Sequence, residues 1–92
     1  MRFTWDSRKA ASNLAKHGVD FYDAIRIFDG KTVEGPDERF DYDEERWIAI
    51  GVTEGKEIFV VYIEEDEDSR RILSARKAND RERERYWREV ER

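Results

Sequence analysis

The 92-residue chain has no cysteine, one proline, one histidine and one methionine. Without cysteine there is no disulfide, no thiolate nucleophile and no zinc finger. One histidine beside one methionine also argues against a transition-metal site. No apolar run approaches the ~18–20 residues that cross a bilayer, and Met1-Arg2-Phe3-Thr4-Trp5-Asp6 does not read as a signal peptide. The expectation is a cytoplasmic protein with no membrane contact, no metal and no cofactor. A Walker loop, a dinucleotide glycine pattern, a nucleophile elbow and a His-Glu metal helix are all missing.

What is present is charge. Charged residues make up 45% of the chain and apolar residues 38%. At this length one domain, residues 1–92, is expected, with a thin core and a shallow surface site rather than an enclosed pocket. The net charge of −5 is unevenly spread: residues 1–27 carry +2, residues 28–68 carry −11 and residues 69–92 carry +4. If the two basic ends meet in space, they make a basic patch on an acidic protein.

The pattern predicts an α+β fold in which helices pack on a small antiparallel sheet. Phe3 and Trp5 alternate with polar neighbours as in a short strand. A helix follows over Ser7 to His17, with Ala10, Ala11, Leu14 and Ala15 as its apolar side and Gly18 beyond its end. Asp20 caps a second helix whose inner stripe is Phe21, Ala24, Ile25 and Phe28. Lys31 to Gly35 reads as a short strand stopped by Pro36, and residues 37–45 as an acidic connection. Arg46–Thr53 and Glu57–Glu64 read as central strands joined by a hairpin, with Arg70–Ala75 as the third strand of a meander. Asn79 and Glu82 form a capping-box pattern that opens a last helix to about Val90.

Three features carry chemistry. Lys9, Asn13, Lys16 and His17 fall on the polar side of the first helix, where two cations and a histidine can hold a phosphate and move a proton. Arg70 to Lys77 ends a strand in the basic pair Arg76-Lys77, and a guanidinium at a strand end can grip a phosphate bidentately. Arg81, Arg85, Arg88 and Arg92 line one side of the last helix. Ordinary roles compete with each: solvated helix faces, arginines paired with the acidic middle segment, and Glu82 as a capping residue. Trp47, Phe59 and Tyr62, interleaved with aliphatics, read as core.

Four stretches together resemble the BrnT family of toxins from bacterial type II toxin–antitoxin pairs. They are Phe3-Thr4-Trp5-Asp6; Lys9 with Asn13-Leu14-Ala15-Lys16-His17-Gly18-Val19-Asp20-Phe21; Glu45-Arg46 through Ile50-Gly51; and Arg71-Ile72-Leu73-Ser74-Ala75-Arg76-Lys77-Ala78 with Glu82 and Tyr86. The resemblance implies a fold similar to the RelE-type ribonuclease toxins and metal-independent endoribonuclease activity that arrests translation. It also implies neutralisation by a BrnA-type antitoxin carrying a DNA-binding domain, through which the complex meets operator DNA.

Metal-free RNA cleavage needs the 2′-hydroxyl deprotonated, the charge on the phosphorane neutralised and the leaving 5′-oxygen protonated. On this reading Arg76 and Lys77 bind the scissile phosphate and Arg46 assists. His17, or a carboxylate such as Glu82, transfers the proton, while Lys9, Asn13 and Lys16 line the RNA path. A composite site of this kind requires the Lys16–His17 end of the first helix to share a groove with Arg46, Arg76 and Lys77. The other reading is a non-catalytic toxin-like module that binds an antitoxin and modulates its DNA binding.

Overall fold

The computed structural model describes residues 1–91. Its elements are β1 (Arg2–Thr4), α1 (Ser7–His17), α2 (Phe21–Ala24) running into a 3₁₀ turn (Ile25–Asp29), β2 (Val33–Pro36), β3 (Trp47–Thr53), β4 (Lys56–Asp66), β5 (Ser69–Lys77) and α3 (Asp80–Val90). The strands form one sheet in the order β1-β5-β4-β3-β2. The α+β fold and the antiparallel β3–β4–β5 meander are as expected, with Thr53↔Lys56 closing the first hairpin. Its Glu54-Gly55 turn has φ of 52° and 74°, the paired positive values of the tight hairpin turn whose twist matches the strands.

The sheet is mixed rather than wholly antiparallel, because β1 runs parallel to β5 from Arg2↔Ser69 to Thr4↔Arg71. After β1 the chain crosses one face of the sheet through α1 and α2, begins β2 at the far edge and meanders back. The returning β5 therefore arrives beside β1 in the same direction.

Apolar side chains fill both faces of the sheet. On one face Val19, Phe21, Ala24 and Ile27 pack on Ala49, Ile58, Val60, Tyr62, Ile72 and Ala75, with Ala10 of α1 alongside. On the other, Tyr86 and Ala78 pack on Ile50, Phe59 and Val61, with Leu73 and Val90 alongside. Thus α1 and α3 cover opposite faces. Gly51 is needed where β3 passes the 3₁₀ turn, since a Cβ there would lie 2.7 Å from the Ile27 Cβ.

Two local departures from regularity decide which side chains meet. The first is a register shift in the β4–β5 ladder between Val61 and Tyr62, where successive partners on β5 jump from Ser74 to Ile72. Strict alternation predicts Ile72 and Ala75 on opposite faces, but the extra residue brings both into the α1-side core. Downstream of the bulge, Arg76 emerges on the α3 face.

The second is the orientation of α1. Its expected apolar side is largely outside, with Leu14 47% exposed, whereas Asn13 is buried. β1 pairs only with residues 69–71 of β5, leaving the edge beyond Arg71 without a strand. The Asn13 side chain supplies the missing partner: its Oδ1 accepts from the Ala75 N–H at 3.1 Å, and its Nδ2 donates to the Ala75 carbonyl at 2.8 Å and the Val19 carbonyl at 3.0 Å. Satisfying these backbone groups outweighs the burial of one leucine. Asn13 is therefore corrected from an RNA-facing residue to an internal strut.

Candidate nucleic-acid interface

The α3 face is only partly covered, and beside the helix lies an open groove of about 460 Å³. Its floor is Ile48, Ile50 and Phe59, and Arg39, Arg81 and Arg85 stand around it with Glu38 and Glu82. Two guanidiniums share the Phe59 ring, with the Cζ of Arg76 4.0 Å and that of Arg39 5.2 Å from its centroid. Each is held by its own carboxylate. Arg76 Nη1 and Nη2 donate to Glu82 at 2.8 and 3.0 Å, and Arg39 Nε and Nη2 donate to Asp37 at 2.8 and 2.9 Å. Like charges against one ring repel, so each guanidinium gains from a further anion that reaches it.

Local sequence explains each anchor. The capping box forms as expected: Asn79 Oδ1 accepts from the Glu82 N–H and Glu82 Oε1 from the Asn79 N–H, both at 2.9 Å. Capping fixes Glu82 on the first turn of α3, where it also meets Arg76. Asp37 follows Pro36 at the end of β2, and its N–H donates to the Arg46 carbonyl at 2.7 Å, closing the base of the 37–46 loop. Its carboxylate has no exposed surface and also accepts from the Arg39 N–H and the Tyr42 hydroxyl.

These contacts tune the carboxyls. The hydrogen bond from the Arg39 side chain, opposed by burial, leads in drawing Asp37 down from 3.8 to about 2. For Glu82 burial acts upward, but the Arg76 guanidinium and the Asn79 N–H outweigh it and hold the group below the usual carboxylate range. Because the folded Asp37 pKa lies below its unfolded value, its stabilisation, about 2 kcal/mol, is complete above roughly pH 4 and is lost as the pH falls through 2. The gap in thermal midpoint between wild type and Asp37→Asn is expected to close between about pH 5 and about pH 2. A gap unchanged over that range would contradict this assignment.

The residues singled out from sequence do not form one site. Arg76 borders the groove. Arg46 stands nearby: its Cζ lies 4.0 Å from the centroid of the Tyr42 ring, its Nε donates to Glu44 at 2.9 Å, and with Arg39 it lines a shallow depression under the 37–46 loop. Lys77, one residue past Arg76, points to the opposite face, where it borders a small cleft with Gly18, Val19, Asp20 and the β3–β4 hairpin. His17 ends α1 on that same side, half-buried, with Lys9 and Lys16 exposed along the helix. The shared groove required of Lys16, His17, Arg76 and Lys77 is thus not formed. The bulge in β5 and the placement of α1 and α3 on opposite faces separate them.

The ordinary role expected of the arginines, pairing with nearby acids, is met in part. Arg70 pairs with the acidic middle segment, through Glu34 at 3.1 Å and Glu64 at 3.9 Å. Arg85 bonds along the helix to Glu89 at 3.7 Å, while Arg81 makes no ion pair among the described residues. Arg92 lies outside the described residues. Among them no three His, Asp or Glu side chains are grouped to hold a metal ion. Among the described residues no helix is long and apolar enough to cross a membrane.

A family described as the ribonuclease toxin BrnT of a type II toxin–antitoxin system matches residues 5–82. The chain belongs to the BrnT family. Among solved structures, the crystal structure of the Brucella abortus ribonuclease toxin BrnT is similar at 29% identity, with a TM-score of 0.64 over 87% of this chain and 99% of that one. No curated protein matches the chain. Membership makes this a ribonuclease toxin at the level of the family and implies an antitoxin partner.

In this BrnT-family chain, sequence reasoning missed Arg39. It sits in a stretch, residues 37–45, that is mostly acidic, and the signal available was the Asp-Glu-Arg spacing after Pro36. An Asx turn there brings carboxylate and guanidinium together two residues apart.

Proposed function

We propose that this protein is a metal-independent endoribonuclease that binds single-stranded RNA across the α3-side groove. The observation that carries the reading is the pair of guanidiniums, Arg39 and Arg76, held on the Phe59 ring by two separate carboxylates. A phosphodiester that reaches both guanidiniums meets two preorganised cations, and the extra negative charge of the phosphorane strengthens both contacts in the transition state. Arg81 and Arg85 extend the positive rim along α3.

Glu38 lines the groove and, among the described residues, makes no ion pair, so it is the carboxylate available to take the 2′-hydroxyl proton. Glu82 is committed to Arg76 and to the cap of α3, and serves as an anchor. Attack of the 2′-oxygen on phosphorus releases the 5′-oxygen, which takes up a proton, leaving a 2′,3′-cyclic phosphate and a 5′-hydroxyl. Arg46, on the flank of the groove, would contact a neighbouring phosphate. On this reading the protein works in the cytoplasm, stops translation by cutting RNA, shares the RelE-type fold and is silenced by a BrnA-type antitoxin whose DNA-binding domain brings the pair to its operator.

The test is cleavage of a defined single-stranded RNA by the purified chain in excess EDTA, with induction in a bacterial host read as growth and total-RNA integrity. Expected are growth arrest, EDTA-resistant cleavage and cyclic-phosphate ends. Intact RNA and normal growth from well-folded protein would instead assign the chain to the non-catalytic, antitoxin-binding role.

A further inference from the structure

We propose, resting on the ribonuclease reading above, that Asp37 is a positioning residue: it presets Arg39 as the second arm of the phosphate site. Arginine in a ten-residue connection ordinarily spreads through many rotamers. Here one edge of the guanidinium, Nε and Nη2, is taken by a carboxylate with no exposed surface, while the Arg39 side chain itself is 44% exposed. The grip is therefore inside and the cation outside. Among the described residues Arg39 Nη1 makes no hydrogen bond, which leaves it as the donor for a phosphate oxygen. Arg76 is gripped end-on instead, with Nη1 and Nη2 on Glu82 and Nη1 also donating to the Lys77 carbonyl at 3.3 Å.

Asp37 is itself over-determined. The Tyr42 hydroxyl donates to its Oδ2 at 3.1 Å, its own N–H is tied to the Arg46 carbonyl, and the Arg39 N–H donates to Oδ1 at 3.2 Å. A loop that needed only to be folded would be served by the backbone contacts. The two side-chain bonds to Arg39 fix a half-exposed cation against the ring that Arg76 also covers. Preorganised charge of this kind is what a transition state rewards, because no reorganisation is needed when charge develops.

The experiment is a double-mutant cycle on RNA cleavage in EDTA, with kcat and KM measured separately and thermal midpoints alongside. Arg39→Ala is expected to lower kcat/KM roughly 10- to 100-fold, the range for a lost charged hydrogen bond, and Asp37→Asn to reproduce most of that loss. The Asp37→Asn/Arg39→Ala double variant is expected to be no worse than Arg39→Ala alone, since a group acting through Arg39 has nothing left to position. A further full loss in the double variant, or wild-type kinetics for Asp37→Asn, would overturn the proposal.

Should Asp37→Asn fail to fold, Arg39→Lys at the exposed end of the pair decides. Lysine keeps the charge but cannot hold the bidentate geometry, so activity is expected to stay within about threefold of Arg39→Ala. Full rescue by lysine would reduce Arg39 to bulk charge and overturn the positioning role. Inactive wild-type protein overturns both readings, whereas an active wild type in which Arg39→Ala is impaired and Asp37→Asn is not overturns this one alone.

Discussion

Arg76→Gln protein is expected to cleave RNA about 100- to 1,000-fold more slowly than wild type, the loss seen when one preorganised donor is removed from a developing oxyanion. Glutamine is the informative replacement. It retains a donor for Glu82 and covers part of Phe59, so the fold survives while the fixed cation is lost. Arg76→Ala would additionally strand a Glu82 side chain that is only 18% exposed, confusing chemistry with stability. In the same assay His17→Ala, which alters the C-terminal end of α1 on the other face, is expected to stay within about threefold of wild type, as remote surface changes do. Lys77→Ala separates the two geometries further, because Lys77 adjoins Arg76 in sequence and faces the opposite side. If His17→Ala and Arg76→Gln lose activity equally, the reacting phosphate does not lie in the α3-side groove.

This contrast also shows what the sequence could convey. Caps, turns and alternation are local, and they were legible: Asp20 caps its helix, Asn79 and Glu82 close their box, and the meander pairs in the expected order. Arg76 was identified because it ends a strand beside a second cation. Which face it would occupy was not legible, for the deciding event is one extra residue in β5 opposite Val61 and Tyr62. Leu73-Ser74 carries no glycine to announce a bulge. The parallel β1 was likewise hidden, since its direction follows from where four later strands end. Arg39 was obscured by composition, because a lone arginine in an acidic stretch looks like charge balance until its carboxylate is seen to be buried.

Asn13 is the residue for which helical periodicity was most misleading, and its replacement is expected to have the largest effect on stability. Asn13→Ala removes three hydrogen bonds at once and leaves the Ala75 N–H, the Ala75 carbonyl and the Val19 carbonyl without their partner. At roughly 1–3 kcal/mol for each buried group left unpaired, and with water able to reach part of the vacated space, a loss of about 2–4 kcal/mol is expected. That is a large fraction of the 5–15 kcal/mol typical of a domain. Asn13→Asp is nearly isosteric and separates satisfaction from shape: it can still accept from the Ala75 N–H, but it sets a carboxylate against two carbonyl oxygens. It should therefore be no more stable than the alanine variant at neutral pH and should recover partly as the carboxylate protonates on acidification. Denaturant unfolding of the three proteins checks this, with hydrogen exchange at the Ala75 amide reporting the edge directly. Wild-type protection of that amide in Asn13→Ala would mean that the β5 edge needs no side-chain partner, and α1 would then owe its orientation to its apolar contacts alone.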